Sequence, residues 1–229
     1  MKLVLTCEHA GNELPEIYVQ YFEGFKRELD SHKGFDLGAL DVFNQLKPLS
    51  DFSIFNTISR LLIELNRSRH HHQLFSRISK RLPTEDKDSL VKTVYQPYRE
   101  SVEHIIKTML LQGEQVLHLS IHSFTPILNG EVRACDIGIL YDPKRLEEKQ
   151  FASTFKNHLL RQLPNLIVRF NYPYRGEADG FTTYLRPKFK TNYLGIELEI
   201  NQKYATDNIM HPNIKDALFN ALVAFKQEV

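Results

Sequence analysis

Lys2-Leu3-Val4-Leu5-Thr6-Cys7 is an apolar run of strand length, and it gives way at once to the polar segment Glu8-His9-Ala10-Gly11-Asn12. In an open α/β sheet a buried strand holds position while the loop after it reaches the cleft, so chemistry gathers where strands end. The same pattern recurs twice. Val116-Leu117-His118-Leu119-Ser120-Ile121 runs into His122, and the stretch from Leu194 to Ile200 carries Glu197 and Glu199 two residues apart. Two histidines and a carboxylate at the ends of separate strands make a candidate metal site.

Working outward from these runs, candidate strands fall at 2–7, 53–56, 60–65, 115–121, 136–141, 166–171 and 193–200. Candidate helices fall at 36–46, 88–112, 145–163 and 212–226. Unbroken apolar stretches such as Leu61-Leu62-Ile63 suit strands covered on both faces. The second helix shows apolar spacing from Val91 through Tyr98 to Met109, and Pro97 is expected to break or kink it. Strands alternating with helices predict a three-layer α/β/α sandwich around a mixed, largely parallel sheet. No repeat, low-complexity tract or Gly/Ser linker interrupts the chain, so residues 1–229 read as one domain. The segment from Asn171 to Lys190 is too rich in Pro, Gly and charged residues for a core element. A loop of that length is expected to wall the active site.

At 229 residues the chain can bury roughly 70–75% of its unfolded surface without a stabilising metal or disulfide. Its formal charge of +1 argues against a nucleic-acid or membrane-surface partner, leaving a small molecule. Only Cys7 and Cys135 are present, which suits a reducing cytosol. The apolar run before Cys7 is too short for a signal peptide, and no segment approaches the ~20 apolar residues of a membrane span. A soluble cytoplasmic protein is expected.

Catalytic zinc takes three protein ligands, commonly His and carboxylate, and keeps one position open. His9 and His122 read as two of them, each against the alternative of a satisfied structural histidine. For the carboxylate, Asp36 sits at a helix start, where it would otherwise cap, and Glu8 should point to the opposite side. The run His70-His71-His72 looks more metal-like but reads as a solvated or substrate-facing loop, because adjacent side chains cannot converge on one ion. In Ser59-Arg60-Leu61-Leu62-Ile63-Glu64-Leu65-Asn66-Arg67 the charges need partners, and Arg67 is placed to grip a substrate carboxylate with its planar fork. Alternation puts Glu197 and Glu199 on one face, and one of them is the candidate general base. Cys7 is a rival nucleophile, although two residues along a strand is too far for a tight pair with His9. No Walker sequence or G-x-G-x-x-G is present.

Taken in order, these segments resemble the N-formylglutamate amidohydrolase family. The matching pieces are Cys7-Glu8-His9-Ala10-Gly11-Asn12, Phe35-Asp36-Leu37-Gly38-Ala39, Ser59-Arg60 through Asn66-Arg67, and Leu119-Ser120-Ile121-His122-Ser123. They continue through Asp136-Ile137-Gly138, Asn171-Tyr172-Pro173-Tyr174-Arg175-Gly176 and Ile196-Glu197-Leu198-Glu199-Ile200-Asn201. The resemblance implies a phosphorylase/hydrolase-like, zinc carboxypeptidase-like fold and metal-dependent hydrolysis of a small N-acyl amino acid, N-formylglutamate among the candidates. It implies His9, Asp36 and His122 as zinc ligands and Glu199 as the base. Arg60 or Arg175 would face the oxyanion, and Asn66, Arg67 and Arg175 the substrate and its carboxylate. The sequence departs from the family pattern at Glu64, where Asp is expected, and at Cys7-Glu8-His9. A binding protein that keeps the cleft without catalysis is the alternative.

Overall fold

The computed structural model describes residues 1–228. Its main sheet has six strands: β1 (Lys2–Cys7), β2 (Phe52–Phe55), β3 (Val116–Phe124), β4 (Ile137–Leu140), β5 (Val168–Phe170) and β6 (Tyr193–Asn201). They lie in the order β2-β1-β3-β6-β4-β5. The first four run parallel, β4 is antiparallel to β6, and β5 is parallel to β4. The sheet is therefore mixed and largely parallel, as six of the seven expected strands predict.

Period-two alternation sorts the strand residues between two cores. Leu3, Leu5 and Cys7, Leu117, Leu119 and Ile121, and Leu194, Ile196, Leu198 and Ile200 face one side. They pack against α1 (Ala39–Leu46) and the two long helices Leu146–Gln162 and Pro212–Glu228. On the opposite face only the starts of the strands are apolar: Val4, Val116 and Tyr193 join Val102, Ile106 and Phe181 in a second core. Further along that face the same strands carry Thr6, then Ser120 and His122, then Glu197 and Glu199, all buried. One face thus changes from apolar to polar toward the carboxyl ends of the parallel strands, and this change positions the site.

Three expectations are corrected. Residues 60–65 form turns, not a strand: Leu62 N and Ile63 N both bond back to Ser59 O, at 2.8 and 3.3 Å. An apolar run without alternation reads equally as a strand or as turns, and here Leu62, Ile63 and Leu65 enter the second core while Arg60 and Glu64 meet as an i,i+4 pair. The break expected at Pro97 is absent, although the helix is irregular just before it. Thr84–Leu90 continues through a π-helical turn, Val91–Tyr95, into Gln96–Leu111. The widened turn accommodates a ring that has no N–H to give and would crowd a regular α ladder. Finally, the polar segment 171–190 contributes to the core after all, through a short helix, Phe181–Leu185, whose Phe181, Thr182 and Leu185 are buried. No helix among the described residues is long and apolar enough to cross a membrane.

Candidate active site

His9 follows the end of β1, and its carbonyl accepts from the Asp36 amide at 3.0 Å, which brings the approach to α1 beside the strand end. The Asp36 side chain does not cap that helix; the capping position is Gly38, held at φ 77°. Instead Asp36 Oδ2 lies 3.3 Å from His9 Nδ1 and 3.0 Å from His122 Nδ1. One donor atom from each of these three buried residues lies within 4.8 Å of the others. The remaining imidazole nitrogens are also held. His9 Nε2 meets Glu64 Oε1, while His122 Nε2 lies 2.9 Å from Ser120 Oγ and 3.3 Å from Glu8 Oε2. Imidazoles with Nδ1 turned to one point and Nε2 turned to a carboxylate are arranged as metal ligands are, the outer carboxylate fixing ring and tautomer. Two imidazoles and a carboxylate suit a catalytic zinc.

His118 shows what a structural histidine looks like two residues earlier on the same strand. Thr6 Oγ1 and Tyr193 OH satisfy its two nitrogens at 3.0 and 2.9 Å, and burial pushes it down to about 4. His122 behaves oppositely. Burial would lower it, but hydrogen bonds with Asp36 and Glu8 hold it well above the ordinary imidazole range. His9 is raised despite burial and Arg60, through Glu64 and Asp36. The carboxylates answer in kind. Burial opposes their charge, yet Asp36 is held well below its usual range by His9 and His122, and Glu8 at about 2 by His122 and Ser120.

Glu199 stands opposite His122 in the β3–β6 register. It is 5% exposed, and no donor among the described residues reaches its Oε2. Burial, against the pull of His122 and with Asp36 and Glu197 adding like charge, pushes it up to about 8. Gly138 faces it from β4, and a side chain there would run into the Tyr172 carbonyl as well as the Glu199 side chain. Arg60 is committed to the ligand cluster, donating from Nε to Glu64 Oε2 at 2.8 Å and from Nη1 to Asp36 Oδ1 at 3.2 Å. Arg67 donates to the Asp179 carbonyl, while its own carbonyl accepts from Tyr95 OH at 2.8 Å and Arg99 Nη1 at 3.2 Å. Arg175 is exposed at the rim, and its guanidinium has no hydrogen-bond partner among the described residues.

All eight residues singled out from the sequence, His9, Asp36, Arg60, Asn66, Arg67, His122, Arg175 and Glu199, line one cavity of about 260 Å³. The segment 171–190 forms its wall through Tyr174, Arg175, Ala178 and Asp179. It is pinned from beneath: Arg186 donates to the Gly176 carbonyl at 2.5 Å, the Gly195 carbonyl at 2.8 Å and Glu148 at 3.0 Å. Phe181 N and Ser68 N tie it to the turn that carries Asn66 and Arg67, through Asn66 Oδ1 and Asp179 Oδ2. His70, His71 and His72 are not among the lining residues. Glu8, expected on the far side, continues the Val4–Thr6 face and supports His122. Cys7 is fully buried and its thiol is pushed well up by burial and by Glu8 and Asp36, the opposite of an activated nucleophile. The roles of Glu64 and Asp179 as partners had one signal each in the sequence, a charge inside an apolar run and a place in the polar segment.

The titration pattern gives an expectation for the free site. His122 is held above its ordinary range by Asp36 and Glu8, and Glu199, at about 8, is mostly protonated at pH 7. A cation takes its ligands deprotonated and disfavours a proton on a neighbouring carboxyl, so loading metal at pH 7 should release protons, and fewer in Glu199→Gln. Calorimetry in buffers of different ionisation enthalpy measures the number, and a value of zero contradicts the assignment. Both shifts are upward, so they stabilise the metal-free fold most below the ordinary values of 4.5 and 6.5 and progressively less as pH rises through the folded values. Chelated protein should accordingly lose melting temperature from pH 5 to about 8.

Comparison with known proteins places this chemistry in context. The sequence model of the N-formylglutamate amidohydrolase family matches residues 1–205. The fold is similar to that of a gene product of Agrobacterium tumefaciens, 24% identical over 98% of this chain and 92% of that one, with a TM-score of 0.76. It is also similar to an N-formylglutamate amidohydrolase of Ralstonia eutropha JMP134, 15% identical over 100% of this chain and 94% of that one, with a TM-score of 0.70. No curated protein matches the chain.

Proposed function

Because the chain belongs to the N-formylglutamate amidohydrolase family, a family of hydrolases acting on amide bonds, we propose that it cleaves the amide of a small N-acyl amino acid, with N-formyl compounds first among them. We assign a zinc ion to His9, Asp36 and His122. The observation that carries this reading is the meeting of His9 Nδ1 and His122 Nδ1 at one oxygen of Asp36, beside a buried Glu199 whose Oε2 is free. Bound there, zinc supplies Lewis acidity toward the scissile carbonyl and the attacking water.

The chain's own groups supply the rest. Glu199, ionised once a cation occupies the neighbouring site, takes a proton at Oε2 from the attacking water and hands it to the leaving amine; a carboxyl whose proton affinity is raised by burial is suited to both transfers. Arg60, fixed by Glu64 and Asp36, borders the cavity where negative charge develops on the former carbonyl oxygen. Donors preorganised in this way are worth ~2.7–4 kcal/mol in other enzymes. Asn66, Arg67 and Arg175 hold the substrate, with its carboxylate against Arg67.

Elemental analysis should find about one zinc per chain, and a screen of N-formyl amino acids should find turnover that a chelator abolishes and zinc restores. Metal-free protein with full hydrolase activity would overturn the zinc assignment. Arg67→Lys keeps the charge but loses the two-pronged geometry, so KM for a carboxylated substrate should rise about tenfold, and less for its amide or ester. Equal losses for charged and neutral substrates would assign Arg67 to structure.

A further inference from the structure

The reaction above leaves two cavity carboxylates unused. Glu197 sits on the same face of β6 as Glu199, one pair deeper, opposite Ser120 of β3. It is 9% exposed, and Thr182 Oγ1 donates to its Oε1 at 2.8 Å. That is the one hydrogen bond to its carboxylate among the described residues, and the residue lines the cavity. Gly180 leaves the room for this: a Cβ there would lie 3.0 Å from Glu197 Oε1. Asp179 lines the same cavity, with Oδ2 taken by Ser68 N at 3.0 Å.

Set aside the His9–Asp36–His122 group, the Arg60 committed to it, and Glu199. The charged residues left on the cavity wall are Arg67 and Arg175, Asp179 and Glu197. Two cations and two anions are a poor match for a ligand carrying only carboxylates. A carboxylate brought beside Glu197 meets a like charge, whereas an ammonium finds an acceptor that is already held in place by Thr182.

We infer that the leaving amine is a diamino acid, its carboxylate held by Arg67 and its terminal ammonium by Glu197, so that N-acyl derivatives of lysine or ornithine are preferred to those of glutamate. The inference rests on the amidohydrolase reading for the location of the scissile amide.

The test compares N-formyl-L-lysine, N-formyl-L-norleucine, which lacks only the ammonium, and N-formyl-L-glutamate, with the metal-loaded enzyme and its Glu197→Gln variant. In the wild type, kcat/KM should favour the lysine compound over the norleucine compound by about tenfold or more, with glutamate lowest, and in the variant the lysine-to-norleucine ratio should fall to about one. A wild-type ratio of one, a preference for glutamate, or a ratio that survives in the variant overturns the inference. So does an equal loss for all three substrates in Glu197→Gln, which would make Glu197 a tuner of Glu199. Calorimetric binding of the free amines, lysine, norleucine and glutamate, reads the same preference without turnover. If lysine binds preferentially and the preference vanishes in Glu197→Gln while no N-formyl compound is hydrolysed, the amidohydrolase reading falls and the recognition of an ammonium by Glu197 stands. If turnover proceeds without that binding preference, the reverse holds.

Discussion

Asp36→Asn should strip the protein of its metal, from about one ion per chain to less than about a tenth, and lower kcat/KM by about a thousandfold or more. The substitution keeps the shape but removes the one negative charge shared by His9 Nδ1, His122 Nδ1 and Arg60 Nη1. Breaking a buried charge group at one member costs about 3–5 kcal/mol, and each 1.4 kcal/mol is tenfold in affinity. The fold should survive, because the imidazoles can shed their protons when the carboxylate is gone and the apolar core on the far face of the sheet is untouched. Elemental analysis and a melting curve on the same sample separate the two effects. Full metal occupancy in the variant would instead give the third position to Glu8 or Glu64.

Glu199→Gln should lower turnover by about a hundred- to ten-thousandfold, the usual range for a lost general base, while metal content and KM stay near wild type. The contrast with Asp36→Asn is the diagnostic feature, since one variant loses the ion and the other keeps it. Gln cannot accept a proton at the position where Glu199 Oε2 stands without a donor. If Glu197→Gln were the crippled variant and Glu199→Gln were not, the two acids would exchange roles, and the inference about the ammonium would fall with that exchange.

The parts of this molecule legible in the sequence are those governed by local periodicity. Val116 to His122 and Leu194 to Glu199 announce buried strands, and the polar residue at each end announces a cleft. What period two could not convey was the segment 59–67. Its apolar residues point to a core and its Arg60 and Glu64 to the His9–Asp36–His122 cluster, from a backbone of turns whose amides donate to the carbonyls of Glu13, Gly34 and Leu74, outside the segment. Asp36 is ambiguous for a related reason: a carboxylate at a helix start is usually a cap, and the partners it takes instead, His9, Arg60 and His122, lie 27, 24 and 86 residues away. The composition of 171–190 suffices to mark it as a cleft wall, and Tyr174, Arg175, Ala178 and Asp179 line the cavity. Its anchoring by Arg186 was invisible, because an arginine destined for Glu148 looks in sequence like any surface charge.

That anchoring decides how the cleft chooses its guests. The wall is fastened through Arg186 to the Gly195 carbonyl and Glu148, braced internally at the Gly176 carbonyl, and tied to the Asn66 turn, so the shape of the cleft is set by the same bonds that hold the core. Variants that loosen the Arg186 fastening would therefore blur discrimination among substrates before they cost the protein its fold.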